Sequence, residues 1–391
     1  MRSFRVLIIT AVVALSAAGA SAVELVLLGG QHFKGDARAT PDTVTVKASD
    51  GKTYTIPRGS VTEVRLEGFE TAEYETRRAK MPETAPAHVA LAHWLESKLQ
   101  NEEAEKQYEA AIALDPGFKA ARETLGYRFA NGQWTRTDED RWRMRASWFG
   151  AAGSDACVEL AKIFRTANDD RRVELFLRRA LIANCGQKEA LTLIRPITDR
   201  YVSKNKYRLP FEGVCAVIND HNQHHRSAAF MQYGLDFQQV DDKLRATRTP
   251  DPKTVEDVYT WDCKILACAD GEVYAVTDGF PDLPLGTSGD FWSANMVCVK
   301  HPGNEYTVYG HLEKGSICVK KGQKVKAGDL VGRGGNSGSA GIPHMHWAMY
   351  DRDGIGLPAT FVDVVEVTRE GEKPLDPGPL HEMRVYKSAG K

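Results

Sequence analysis

The hydrophobic period of this chain changes twice along its length, and each change limits what the residues on either side can build. Between residues 23 and 70 apolar side chains alternate, as in Val44 and Val46 or Tyr54 and Ile56, the pattern of a half-buried strand. Asp50-Gly51 separates two such runs, and both residues tolerate positive φ, so a hairpin is expected there. From residue 86 to 200 the spacing is helical. Val158, Leu160, Ala161 and Phe164 make one stripe, Val173, Phe176, Leu177, Ala180 and Leu181 a second, and Leu191, Leu193 and Ile194 begin a third before Pro196. Beyond residue 208 glycines at 322, 328 and 332 punctuate short runs holding Val319, Val325, Leu330 and Val331, and the stretch to 365 reads as β-rich. With 391 residues, too many for one ordinary core, the expected fold is multidomain α+β. Its parts are a leader (1–22), a small β module (23–70), a helical region (86–200), a mostly antiparallel β domain (208–365) and a C-terminal tail (366–391).

Arg2 and Arg5 precede the apolar run Val6 to Leu15, and Ala20-Ser21-Ala22 follows, the order of a secretory signal peptide. That run is shorter than the ~20 residues that span a bilayer, and no later run is longer. The mature chain is expected to begin near Val23 and to be secreted, periplasmic or extracellular, where disulfides persist. Its seven cysteines form no C-x-x-C pair, which removes the common cysteine zinc site and the thioredoxin motif. They read as buried thiols with room for one to three disulfides, Cys157 and Cys185 reading equally as a pair or as two buried thiols, and their odd number leaves at least one free or paired between chains. Because 51 Lys and Arg balance 52 Asp and Glu, there is no bulk field for a polyanion, and no nucleic-acid partner is expected.

The 23–70 stretch resembles a small β-barrel or SH3-like module without clustered acid, base or nucleophile, so a binding or spacing role is expected of it. Leu91-Ala92 recurs as Leu125-Gly126, 34 residues later, with Ala104, Tyr108, Ala111 and Pro116 between. This resembles one tetratricopeptide repeat and the first helix of a second. So few repeats cannot close a core alone, so the helices of 154–200 are expected to cover them, and the repeats to offer a surface to a protein partner. Trp94, Trp134, Trp142 and Trp148 read as core.

Seven of the eleven histidines (His221, His224, His225, His301, His311, His344 and His346) fall between 221 and 346. In a strand, His344 and His346 face the same way, so one imidazole can hold a metal while the other reaches a water beside it. The preceding loop, Gly332 to Gly341, is nearly all small residues and lacks the phosphate-loop pattern, and it reads as the wall of a cleft with the H-x-H as floor. His301 reads as structural. Ser337 and Ser339 near His344 lack the G-x-S-x-G elbow, which argues against a serine hydrolase.

The segments ACADGEVYAV, MVCVKHPGNEYTVYGHL and VKKGQKVKAGDLVGRGGNSGSAGIPHMHW resemble the core of the lysostaphin/LytM-type zinc endopeptidases over roughly 155 residues. The resemblance implies a secreted peptidase that binds one zinc per chain and hydrolyses peptide stems or cross-links of peptidoglycan. By the same resemblance His346 is a zinc ligand, His311 and His344 are the catalytic pair, and Asp236, in Tyr-Gly-Leu-Asp-Phe, is a second ligand. The third is an upstream histidine: His225, 11 residues before Asp236, is taken first, with His224 and His221 as competitors.

Two imidazoles and a carboxylate leave zinc an open position for water, whose pKa falls towards ~7. No H-E-x-x-H motif supplies a glutamate base, so histidines would move the proton. Two alternatives remain: a LytM-like activator without catalysis, and a scaffold of envelope assembly acting through its helical repeats.

Overall fold

The computed structural model describes residues 23–27, 32–39, 43–48, 51–57, 61–66, 71–97, 100–148, 150–219, 224–290 and 293–389. The expected leader, Asp50 of the expected hairpin and His221 lie outside the described residues. The chain divides into two compact units, one ending at Cys185 and the other starting at Gly186.

The first unit begins with five antiparallel strands, β1 (Val23–Leu27), β2 (His32–Ala39), β3 (Thr43–Ala48), β4 (Thr53–Pro57) and β5 (Val61–Leu66), in the order β4-β3-β2-β1-β5. Alternation does what it predicts: Val44, Val46 and Ile56 are buried on one face, where Leu25 joins them. Then come α1 (Thr71–Lys80), α2 (Ala85–Ser97), α3 (Asn101–Leu114) and α4 (Lys119–Thr124). Leu91, Ala92 and Leu95 of α2 pack with Ala104, Tyr108 and Ala111 of α3.

Where a second repeat would start, α4 stops after six residues, because Gly126 takes φ +83° and a Cβ there would lie 3.1 Å from the Asp140 carbonyl oxygen. The chain turns instead into a hairpin, β6 (Arg128–Ala130) and β7 (Gln133–Thr135). Then α5 (Asp138–Arg145) starts on a capping box of Thr137 and Asp140. The helices α6 (Gly150–Thr166) and α7 (Asp170–Ala183) bury the two expected stripes against each other, with Phe164 stacked on Phe176 at 5.5 Å. The four tryptophans read as core are only half-buried. Each lies under a guanidinium, Arg77 at 4.6 Å from Trp94 and Arg145 at 5.3 Å from both Trp142 and Trp148, which holds an indole at the protein's rim. All seven cysteines are free thiols, Cys157 and Cys185 included.

The second unit opens with α8 (Lys188–Thr198), the third stripe of the helical region, and continues through β8 (Lys206–Tyr207), β9 (Val214–Asn219), β10 (Leu235–Val240), β11 (Lys264–Leu266), β12 (Gly271–Thr277), β13 (Met296–His301), β14 (Glu305–Gly310), β15 (Lys324–Val325), β16 (Leu330–Arg333), β17 (Met345–Asp351), β18 (Thr360–Phe361), β19 (Val364–Thr368), β20 (Gly371–Pro374) and β21 (Arg384–Ser388). Ten strands form one sheet in the order β15-β12-β13-β14-β17-β10-β9-β21-β19-β20, all its pairings antiparallel. Within 366–391, read as a tail, the described residues to 389 instead extend this sheet: β21 pairs with β9 and fully buries Tyr386, an apolar gain that a loose tail would forgo.

The core gathers Tyr207, Phe237, Tyr309, Met345, Trp347 and Phe361 beneath the central strands β14, β17 and β10. A buried carboxylate ties the entry of the unit to it. Glu305 accepts from Tyr201 Oη, Lys204 N, Asn205 N, Asn205 Nδ2 and Tyr207 Oη at 2.6–3.1 Å. Those donors outweigh burial and hold its carboxyl below the usual range. Among the described residues no helix is long and apolar enough to cross a membrane.

Candidate metal centre and active site

The site grows out of strand register. On β17 the two-residue period sends Met345 and Trp347 into the core and His346 to the opposite face, with His344 just before the strand on that same face. Register then places His346 opposite Asp236 of β10 on one side and Gly310 of β14 on the other. Directly opposed residues have their Cβ atoms about 5 Å apart, close enough for His346 Nδ1 to lie 2.9 Å from Asp236 Oδ1.

His225, in the short 3-10 turn His224–Ser227, brings its Nε2 to 3.1 Å from the same oxygen. Asn219, at the end of β9, donates Nδ2 to Asp236 Oδ2 at 3.1 Å and fixes the carboxylate plane. Gly234 lets the two rings close in: a Cβ there would lie 2.9 Å from His346 Cε1 and 3.0 Å from His225 Cγ. The ligand-type atoms of His225, Asp236 and His346 all lie within 4.8 Å of one another.

Two more imidazoles border this trio. His344 Nε2 stands 3.6 Å from Asp236 Oδ1, and the His311 ring centroid is 4.6 Å from that of His344 and 6.1 Å from that of His346. His311 Nδ1 is 2.8 Å from the Ser337 carbonyl oxygen and His344 Nδ1 is 2.8 Å from that of Ile342. A carbonyl only accepts, so each Nδ1 carries the proton and each Nε2 is left bare.

Asp236 is almost wholly buried, which pushes its pKa up. Hydrogen bonds from His225 and His346 nonetheless hold it well below the usual carboxylate range. Burial and then the neighbouring histidines press His311 down to about 3, and burial lowers His346 as well, so both rings are neutral near pH 7.

The five residues expected at the site therefore lie together. His301 does not join them: it is buried, between the Asp270 carbonyl and Thr307 Oγ1, both at 2.8 Å, in a structural position. The small-residue loop is less a cleft wall than expected. Asn336 and Ser337 are fully buried, and the Ser337 hydroxyl is spent between Asn295 N (3.0 Å) and the Leu312 carbonyl (2.8 Å), which leaves it no nucleophilic role. Asn219, Gly234 and Asn295 were not visible as site residues. The only local sign was Gly234 two positions before Asp236.

Residues 259–356 match the model of Peptidase family M23. This stretch is a peptidase M23 domain. It contains His311, His344 and His346, while His225 and Asp236 precede it and are joined to it by strand pairing and the turn before β10. The peptidoglycan DD-endopeptidase ShyA of Vibrio cholerae is 33% identical over 218 residues, 52% of this chain and 46% of that protein. The peptidoglycan DD-endopeptidase ShyC of the same organism is 27% identical over 128 residues, 33% of this chain and 28% of that protein. The chain thus spans less than half the length of these curated relatives. Among solved structures, a zinc containing peptidase from Vibrio cholerae is 20% identical over 39% of each chain with a TM-score of 0.25. The catalytic domain of lysostaphin from Staphylococcus simulans is 16% identical over 41% of this chain and 90% of that one, with a TM-score of 0.22.

Proposed function

We propose that this chain is a secreted, zinc-dependent endopeptidase that hydrolyses peptide bonds of peptidoglycan. The observation that carries the reading is the meeting of His225, Asp236 and His346 on three separate segments, flanked by two further imidazoles with bare Nε2 atoms. The donor set fits zinc: two imidazole nitrogens and one carboxylate oxygen, a three-ligand set of the catalytic kind rather than a closed structural one. Asn219 supplies the outer hydrogen bond that such a carboxylate ligand requires. When bound, the ion supplies Lewis acidity and makes water acidic enough to attack near neutral pH.

The protein's own residues account for the proton. His344 and His311 each present Nε2 as an acceptor, one to take a proton from the attacking water and return it to the leaving amine. While it holds that proton, the same imidazole donates a hydrogen bond to the oxygen that gains charge as the peptide carbon becomes tetrahedral. Peptidoglycan as substrate rests on the likeness to the two DD-endopeptidases.

The test is digestion of defined cross-linked muropeptides by the full chain, before and after chelation and zinc re-addition. Cleavage that stops on chelation, returns with zinc and is absent in His344→Ala supports the reading. A chain that binds zinc and leaves every cross-linked substrate intact would refute hydrolysis and favour the activator alternative.

A further inference from the structure

We infer that Asn295 and Ser337, which do not belong to the imidazole and carboxylate cluster, are positioning residues that set the backbone turn and the tautomer of His311. This rests on the catalytic role proposed for His311 and deepens it.

His311 is the first residue beyond β14 and has φ +59°, a left-handed conformation that side chains with a Cβ rarely adopt. Something outside the strand must hold it there. The Gly335 amide donates to the His311 carbonyl at 3.0 Å, and the Leu312 amide donates to the Asn295 carbonyl at 3.0 Å. The Leu312 carbonyl accepts twice, from Asn295 Nδ2 (3.0 Å) and Ser337 Oγ (2.8 Å). Both peptide groups that follow the His311 α-carbon are therefore tied to residues 295 and 335–337.

The ring is tied to the same frame. Ser337 Oγ accepts from Asn295 N at 3.0 Å, so residue 337 is pinned at both ends of its hydroxyl, and its carbonyl is thereby placed 2.8 Å from His311 Nδ1. Asn295 is anchored in turn through its side chain, with Oδ1 accepting from Phe280 N and Nδ2 donating to Phe280 O, both at 2.9 Å. Asn295, Asn336 and Ser337 are all fully buried, so no water competes for these bonds. The packing also explains a loop of small residues: a Cβ on Gly335 would stand 2.3 Å from Glu313 N. Neither Asn295 nor Ser337 touches His225, Asp236 or His346 in any of these hydrogen bonds, so the brace serves proton transfer and not metal retention.

The test uses the full chain labelled with 15N-histidine, together with Ser337→Ala and Asn295→Asp. In wild-type protein without metal, His311 is expected as the Nδ1–H tautomer in slow exchange. Ser337→Ala removes the pin, and Asn295→Asp, nearly equal in shape, removes both Nδ2 donors. Each is expected to mix the two His311 tautomers and to lower kcat about 10- to 100-fold, the loss typical of an orienting partner, with KM and zinc content unchanged. A wild-type His311 that carries its proton on Nε2 would overturn the inference without any variant. So would folded variants with wild-type tautomer and kcat, or variants whose kcat falls only as their zinc content falls. Absence of hydrolysis in wild type would refute the proposed function instead, and the tautomer measurement would still decide the positioning role.

Discussion

Gly234→Ala is the smallest change that presses on two of the three residues proposed to hold the metal at once. The backbone permits it, since Gly234 does not take a left-handed φ, so any effect must come from the added methyl. That methyl would sit 2.9 Å from His346 Cε1, 3.0 Å from His225 Cγ and 3.0 Å from the Met231 carbonyl oxygen. Ordinary carbon contacts begin near ~3.5 Å, so the rings must give by about half an ångström. His346 cannot swing freely, because its Nδ1 is bonded to Asp236 and its strand is paired on both sides. Metal ligand distances tolerate only about ±0.2 Å, so a displacement of this size is expected to weaken zinc binding by about 10- to 100-fold. The crowding is also expected to cost about 1–3 kcal/mol of folding stability. A competition titration against a chromophoric chelator reads the first number, and urea unfolding of the metal-free protein reads the second. Wild-type zinc affinity in a folded Gly234→Ala protein would refute the claim that the two rings close on a common ion.

Replacement of Glu305 by Gln keeps the shape but turns two N–H donors towards a site already filled by donors, and is expected to destabilise the second unit by on the order of 3 kcal/mol in urea unfolding. A loss below about 0.5 kcal/mol, the level of an ordinary surface change, would show that the clasp is not needed. Acidification should also destabilise the metal-free protein. Burial lowers the pKa of His301, His311 and His346 in the folded state, so the unfolded chain binds more protons below its own histidine value near ~6.5, and stability falls as pH drops through that point. Each such histidine contributes a slope of up to about 1.4 kcal/mol per pH unit between its two pKa values. Equal urea midpoints at pH 7.5 and 5.5 would contradict this.

Much of the architecture was legible because periodicity is a local property. The stripes of α6 and α7 and the alternation about Val44 and Val46 bury the residues that their spacing marks. His344 and His346 were legible for the same reason, since a strand must send both to one face. The end of the repeat-like segment was not, because α4 ends just before Gly126, where a Cβ would meet the carbonyl of Asp140, 14 residues further along. Nor was the tail, where β21 pairs with β19 and also with β9, almost 170 residues earlier in sequence by the Cα partners Arg384 and Val217. His225 could not be separated from His221 and His224 by spacing, because the 3-10 turn that aims His225 at Asp236 leaves no periodic trace. Asn295 and Ser337 are joined across 42 residues, and nothing in either segment marks them as one frame.

The central claim is a single catalytic ion held by His225, Asp236 and His346. Metal analysis of purified, full-length wild-type protein and of His346→Ala, each exposed to excess zinc and then desalted, tests it most directly. One zinc per chain in the wild type and none in the variant is the predicted result; equal zinc in both, or none in the wild type, would contradict it.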